Sequence, residues 1–261
     1  MTRPAALLAI LLFTAPIAGA ASPRSILSSV GFDQKLGAQA PLDLVFRDEG
    51  GKPARLGSLL HGRPVLLAFV YYKCPMLCTE TLNGLVRALR ALSFDAGRQF
   101  DVVILSIDPR ETPALAAAKE KVYVERYGRA GGARGWSFLT GDEASIRRLT
   151  GALGFRYVYD KELDQYAHPA GLVVLTPQGR VSRYLFGVEF AAGDVRLALV
   201  EAAAGAIGTP IDRLVLYCYH YDPMTGRYGP RILRILQAGG ALTLAGLAAL
   251  VLGMSRGGRP A

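Results

Sequence analysis

Histidine and cysteine are scarce here, three of each in 261 residues, beside a single tryptophan and four methionines. An odd cysteine count leaves at least one thiol without an internal partner, which argues against a purely structural disulfide scaffold. Acidic residues are outnumbered, 21 against 30 basic ones, for a formal net charge of +9. No basic run is interleaved with aromatics, so a nucleic-acid interface is not expected. That charge suits an anionic membrane surface or an acidic partner equally well. Repeats and low-complexity tracts are also missing.

The longest uncharged runs sit near the two ends. Residues 1–20 carry one basic residue, Arg3, an apolar stretch from Ala5 to Phe13, and a small-x-small close at Ala18-Gly19-Ala20. That pattern predicts a secretory signal peptide, which directs the rest of the chain to export. Residues 232–254 end in AGGALTLAGLAALVLGM, uncharged and rich in glycine, with the length and composition of a membrane-spanning helix. The expected plan is a linker at 21–40, a folded domain at 41–208, a juxtamembrane segment at 209–231, the spanning helix at 232–254 and a short cytoplasmic tail at 255–261. The signal segment places the main domain outside the cytoplasm, on the periplasmic side of a bacterial inner membrane.

Within the body, apolar patterning alternates between strand and helix. Asp43–Asp48 alternates like a half-buried strand, and GGKPARLGSL after it reads as a turn. Val65–Tyr72 and Phe100–Ile107 are nearly continuous apolar runs, as in strands covered on both faces. Helices are predicted over Thr79–Leu92, over Thr112–Tyr127 with Pro113 near its first position, from an Asp142 cap through Leu149, and over Asp194–Ala204. Phe138–Thr140 reads as short and extended, while Gly171–Thr176 and Val181–Phe186 form a hairpin around Pro177-Gln178-Gly179. This order predicts a layered α/β domain with a mixed central sheet.

The chemistry concentrates in YYKCPMLCTETLNGL, at the carboxyl end of the first inner strand, where open α/β sheets place their sites. A structural disulfide, a redox pair and a metal clamp are all open to Cys74 and Cys78. With a helix beginning near Cys74 and Pro75 as its first residue, the thiols lie one turn apart near unpaired backbone N–H groups that favour thiolates. Residues four apart on a helix have Cβ atoms about 5–6 Å apart, whereas a disulfide needs about 3.5–4.5 Å. The spacing thus mildly favours a metal, without excluding reversible oxidation. Among the histidines, His61 lies in a polar turn and is expected to be solvated. His168, in a loop leading into the strand from Gly171, is the candidate third ligand. Two thiolates and an imidazole suit Cu(I), can hold Cu(II), and would accept zinc with a fourth donor. Met76 is expected to pack into the protein, away from the cysteines.

Strand–CPMLC–helix, SIDPRETP, WSFLTGDE and a histidine loop before GLVVLTPQGRV occur in this order over roughly Pro41 to Gly208. Together they resemble the SCO (SenC/PrrC) family. The resemblance implies a thioredoxin-like fold and a metallochaperone, rather than an enzyme, that delivers copper to the CuA centre of cytochrome c oxidase. It implies Cys74, Cys78 and His168 as copper ligands, Asp108 as a supporting acidic residue and Glu111 as the stand-in for a further one. The implied partners are the CuA-bearing oxidase subunit, a periplasmic copper donor or thiol reductase, and the membrane. Here Ala167 precedes the histidine and Pro169 comes after it, a departure from the family's usual Asp-His-Ser/Thr, and the anchor is C-terminal rather than N-terminal.

A rival reading is a thiol–disulfide oxidoreductase that reduces the recipient's cysteines. Peroxiredoxin and thioredoxin patterns fit poorly, with Ala68 and Tyr71 where the first has Pro and Thr or Ser, and Lys73 where the second has Trp. Between body and anchor, YCYHYDPMTGRY carries Cys218, His220 and Met224, a candidate second copper site or an aromatic segment at the membrane surface.

Overall fold

The computed structural model describes residues 29–129 and 131–207, and beyond them 221–222, 227–228, 237 and 239–247. The chain divides into two compact units, Met1–Gly205 and Ala206–Ala261. In the first, the strands are β1 (Gly31–Phe32), β2 (Val45–Arg47), β3 (Pro53–Arg55), β4 (Val65–Val70), β5 (Asp101–Ser106), β6 (Trp136–Leu139), β7 (Phe155–Arg156), β8 (Val158–Asp160), β9 (Gln165–Ala167), β10 (Gly171–Leu175) and β11 (Val181–Phe186). The helices are α1 (Leu77–Ala91), α2 (Pro113–Tyr127), α3 (Glu143–Ala152) and α4 (Ala192–Ala203).

Five strands form the central sheet in the order β11-β10-β4-β5-β6. β4, β5 and β6 run parallel, while β10 is antiparallel to both β4 and β11, so the sheet is mixed. Every residue of β4 and β5 is buried, which explains why both read as unbroken apolar runs rather than alternating ones. Helix α1 buries Leu82, Leu85, Val86 and Leu89 at helical spacing and packs on α2 and α4. Gly84 allows a close approach: a Cβ there would lie 1.8 Å from the Val188 carbonyl oxygen. Thr112 and Pro113 open α2, and the Asp142 carboxylate accepts the Ser145 N–H at the start of α3.

Three expectations change. The GGKPARLGSL stretch is not simply a turn: it contains β3, paired with β2, and a 3-10 turn at Leu56–Leu59. Short strands of two or three residues carry too little pattern to read, which also hides β1 paired with β7 and β8 paired with β9. The first helix begins at Leu77 with Met76 as its cap, so Cys74 and Pro75 precede it. His61 is not simply solvated, since its Nδ1 lies 3.3 Å from Asp101 Oδ2, although half of its side chain remains exposed.

Residues 239–247 are helical, with Leu242, Leu244 and Leu247 exposed. Among the described residues no helix is long and apolar enough to cross a membrane. The signal segment 1–20 and most of the run 232–254 lie outside the described residues, as do Cys218, His220 and Met224.

Candidate metal centre

Strand β4, in the middle of the sheet, delivers the chain to the carboxyl end of the parallel strands, and residues 71–76 turn it into α1. This turn is fixed from below by a buried carboxylate. Glu111 Oε2 accepts the Tyr72 N–H at 2.6 Å and the Ser106 hydroxyl at 2.6 Å, and Oε1 accepts the Lys73 N–H at 2.7 Å. The Tyr72 hydroxyl donates to the Leu139 carbonyl at 2.8 Å, anchoring the turn to β6 as well. Two backbone N–H groups that would otherwise be unpaired end on sulfur: Tyr71 N–H on Cys78 Sγ at 3.4 Å, and Cys78 N–H on Cys74 Sγ at 3.3 Å. Cys74 thereby takes the place of a side-chain cap at the start of α1, which Met76 cannot supply.

The third group arrives from the far side of the sheet's topology. Hairpin β8–β9 ends in Ala167, paired with Val158, and the next residue is His168. Its Nδ1 lies 3.0 Å from the Pro169 carbonyl oxygen, so the Nδ1–H donates there and the Nε2 lone pair is left for the sulfurs. Nε2 lies 3.0 Å from Cys78 Sγ. The donor atoms of Cys74, Cys78 and His168 all fall within 4.8 Å of one another, and all three residues are buried. The Tyr71 ring meets the imidazole edge to face at 5.8 Å, with Phe155 at 6.1 Å on another side.

Both cysteines are free thiols. A hydrogen bond from Cys78 drives the Cys74 thiol down to about 3, with the Cys78 and Met76 backbone N–H groups adding to it. Burial pushes Cys78 up, and the adjoining Cys74 sulfur pushes it further. The Tyr71 hydroxyl is likewise raised by burial and by its hydrogen bond to Cys74. In effect Cys78 holds one proton that faces two acceptors, the Cys74 sulfur and His168 Nε2. A soft cation in that position would replace the proton and satisfy all three donors, which the two sulfurs and one imidazole nitrogen fit by type.

The helical start beyond Cys74 removes the spacing argument against a disulfide, because Cys74 is free of helix geometry. What distinguishes a metal clamp is therefore the imidazole, not the cysteine spacing. Met76 does not pack: it is 71% exposed, because the turn ahead of α1 points it outward. Asp108 is buried, but its carboxylate is taken by Arg110 rather than by the cysteines or the histidine. The sequence pattern carried no sign of Arg110, Tyr159 and Asp164, which interlock beside the site. The only available signal was three charges, DPRE, at the end of a wholly buried strand.

Comparison with known proteins agrees with this architecture. The family model SCO1/SenC matches residues 44–198, more than half of the chain. A protein of Stutzerimonas stutzeri, provisionally called copper-binding, is 30% identical over 130 residues, covering 48% of this chain and 59% of that protein. The chain thus spans less than two thirds of that relative's length. A crystal structure from Aquifex aeolicus VF5, provisionally assigned to electron transfer, superposes with a TM-score of 0.59 at 24% identity, over 68% of this chain and 98% of the other. Arabidopsis thaliana ScoI, solved with copper bound, gives a TM-score of 0.50 at 18% identity over 62% and 96% of the two chains. At these identities the structural likenesses show the fold.

Proposed function

The chain belongs to the SCO1/SenC family, and from that premise we propose that it is a membrane-anchored copper chaperone. It holds one copper ion through Cys74, Cys78 and His168 and delivers it to the CuA site of cytochrome c oxidase during assembly. The observation that carries this reading is the buried meeting of two cysteine sulfurs and one imidazole nitrogen within 4.8 Å. The copper-binding name given provisionally to the Stutzerimonas relative and the Sco family's association with cytochrome c oxidase assembly support the choice of cargo and recipient. Copper is cargo here, taken from a periplasmic donor and released to the CuA-bearing subunit. This chain's own part is to exclude water and to present two sulfurs and the imidazole lone pair.

The anchor is the run 232–254, supported by the helical residues 239–247 and their exposed leucines, and the domain faces the periplasm. Cys218, His220 and Met224 would form a second copper site on the linking segment. Copper stoichiometry unchanged by Cys218→Ser would remove it.

A thiol–disulfide oxidoreductase is favoured by one feature, the acidic Cys74 beside a protonated Cys78, the arrangement that dithiol exchange uses. Two anaerobic incubations separate the readings. In the first, the copper-loaded chain meets the reduced CuA-bearing subunit; in the second, the reduced metal-free chain meets the disulfide form of that subunit. Copper transfer that fails with His168→Ala supports the chaperone. Disulfide reduction that is indifferent to His168→Ala, with no copper transfer, supports the reductase.

A further inference from the structure

The loop after β5 touches both halves of the candidate site. From it, Glu111 reaches inward to the cysteine turn. Arg110 reaches the other way. Its backbone N–H and Nε donate to Asp108 Oδ1, both at 2.9 Å, and Nη2 donates to Asp108 Oδ2 at 2.8 Å. This fixes the guanidinium plane on a buried carboxylate, the two-pronged geometry that arginine makes and lysine cannot.

The outer edge of the same plane meets the hairpin that carries the histidine. Nη1 donates to Asp164 Oδ1 at 2.7 Å and lies 3.2 Å from the Tyr159 hydroxyl, which itself bonds Asp164. The guanidinium carbon sits 5.0 Å from the Tyr159 ring centroid. Tyr159 is on β8, opposite Tyr166 on β9, and Asp164 is the left-handed residue (φ 50°) that starts the return strand. His168 lies four residues further along. Lys73, directly before Cys74, also acts on Asp164 through its charge. The Asp164 carboxylate is therefore bonded to the cation of the loop and also feels the charge of the cysteine turn.

We propose that Arg110 is a positioning residue for His168, locking the β8–β9 hairpin to the loop that holds the cysteine turn and so setting the distance from imidazole to thiols. This deepens, and rests on, the reading of Cys74, Cys78 and His168 as the copper ligands. Arg110 touches no ligand atom, so it acts only through the hairpin. Its bonds to Asp164 are solvent-exposed and individually weak, which bounds the effect; the anchor on buried Asp108 is what makes the fork directional.

The test is anaerobic Cu(I) competition titration of the full chain in detergent, for wild type, Arg110→Ala, Arg110→Lys, Asp164→Asn, His168→Ala and the double variant Arg110→Ala/His168→Ala. Arg110→Ala and Asp164→Asn should each weaken Cu(I) binding about three- to fivefold when His168 is present, a size set by an exposed ion-pair network. In the His168→Ala background Arg110→Ala should change binding less than about twofold, because the two act as one unit. Arg110→Lys should restore only part of the loss, and 1 M salt should weaken wild type toward Arg110→Ala. Equal losses in both backgrounds, or none in either, overturn the positioning role while leaving the copper site standing. A wild type whose copper binding ignores His168 overturns the site reading itself, and this inference with it.

Discussion

The two segments that meet at the candidate site are built differently. The cysteine turn, residues 71–78, is an extension of the core: it leaves a fully buried strand, its backbone is fastened by buried Glu111, and its sulfurs accept backbone N–H groups. The histidine hairpin is a surface structure. Its strands are three residues each, its tip Asp164 is exposed, and its ties are aromatic contacts of Tyr166 and a solvent-facing ion pair. A site assembled this way sets its thiols on the buried core and its imidazole on a hairpin tied at the surface.

This contrast can be broken most severely at the thiols. Cys74→Ser or Cys78→Ser should abolish tight Cu(I) binding in anaerobic competition, since each removes one of the two soft thiolates that select Cu(I). His168→Ala should be milder, leaving thiol-bound copper weakened by at least about 10- to 100-fold, because groups outside the ligand set already cost that much. If the histidine variant were the more severe, the contrast would be wrong.

A second break separates the supports rather than the ligands. Glu111→Ala strands the buried Tyr72 N–H and takes an acceptor from the partly buried Lys73 N–H and from the Ser106 hydroxyl. It should destabilise the domain by about 2–4 kcal/mol in urea unfolding, about one to three for the buried N–H and the rest from the two weakened neighbours. Asp164→Asn, on the exposed hairpin tip, should cost less than about 1 kcal/mol by the same measurement. Comparable losses would mean that the hairpin is as much part of the core as the turn.

Between these lies a test of packing alone. Gly84→Ala forces a methyl against the Val188 carbonyl, and the shift of α1 should cost about 1–3 kcal/mol. Copper affinity should fall only if α1, which carries Cys78, moves relative to the turn. The smallest effect is expected at Met76 and Leu163, both largely exposed. Met76→Ala and Leu163→Ala should each change stability by no more than about 0.5 kcal/mol in the same unfolding experiment.

The same contrast explains what could be read from the sequence. Core-derived parts were legible. Continuous apolar runs marked β4 and β5, helical spacing marked α1, and Thr112-Pro113 marked the start of α2, because burial on a fixed period leaves a pattern in the chain. Surface parts were not. β8 and β9 are too short for a period, so nothing in DKELDQYA showed the hairpin that brings His168 to the cysteines. Met76 was misjudged for a related reason: its outward direction results from α1 starting at Leu77, and helix ends are set by which groups cap them rather than by apolar spacing. Here that cap is a cysteine sulfur, a role no propensity reveals. Glu111 came to notice through family likeness, but its grip on two backbone N–H groups needed coordinates.

The central claim is that two cysteines and one histidine act together on a single copper ion. The most direct measurement is X-ray absorption at the copper edge of the Cu(I)-loaded full chain, for wild type and for His168→Ala. The account predicts two sulfur scatterers at about 2.2–2.3 Å and one nitrogen in wild type, with the nitrogen lost and both sulfurs retained in the variant. A wild-type spectrum with no nitrogen scatterer, or one that His168→Ala leaves unchanged, would contradict it.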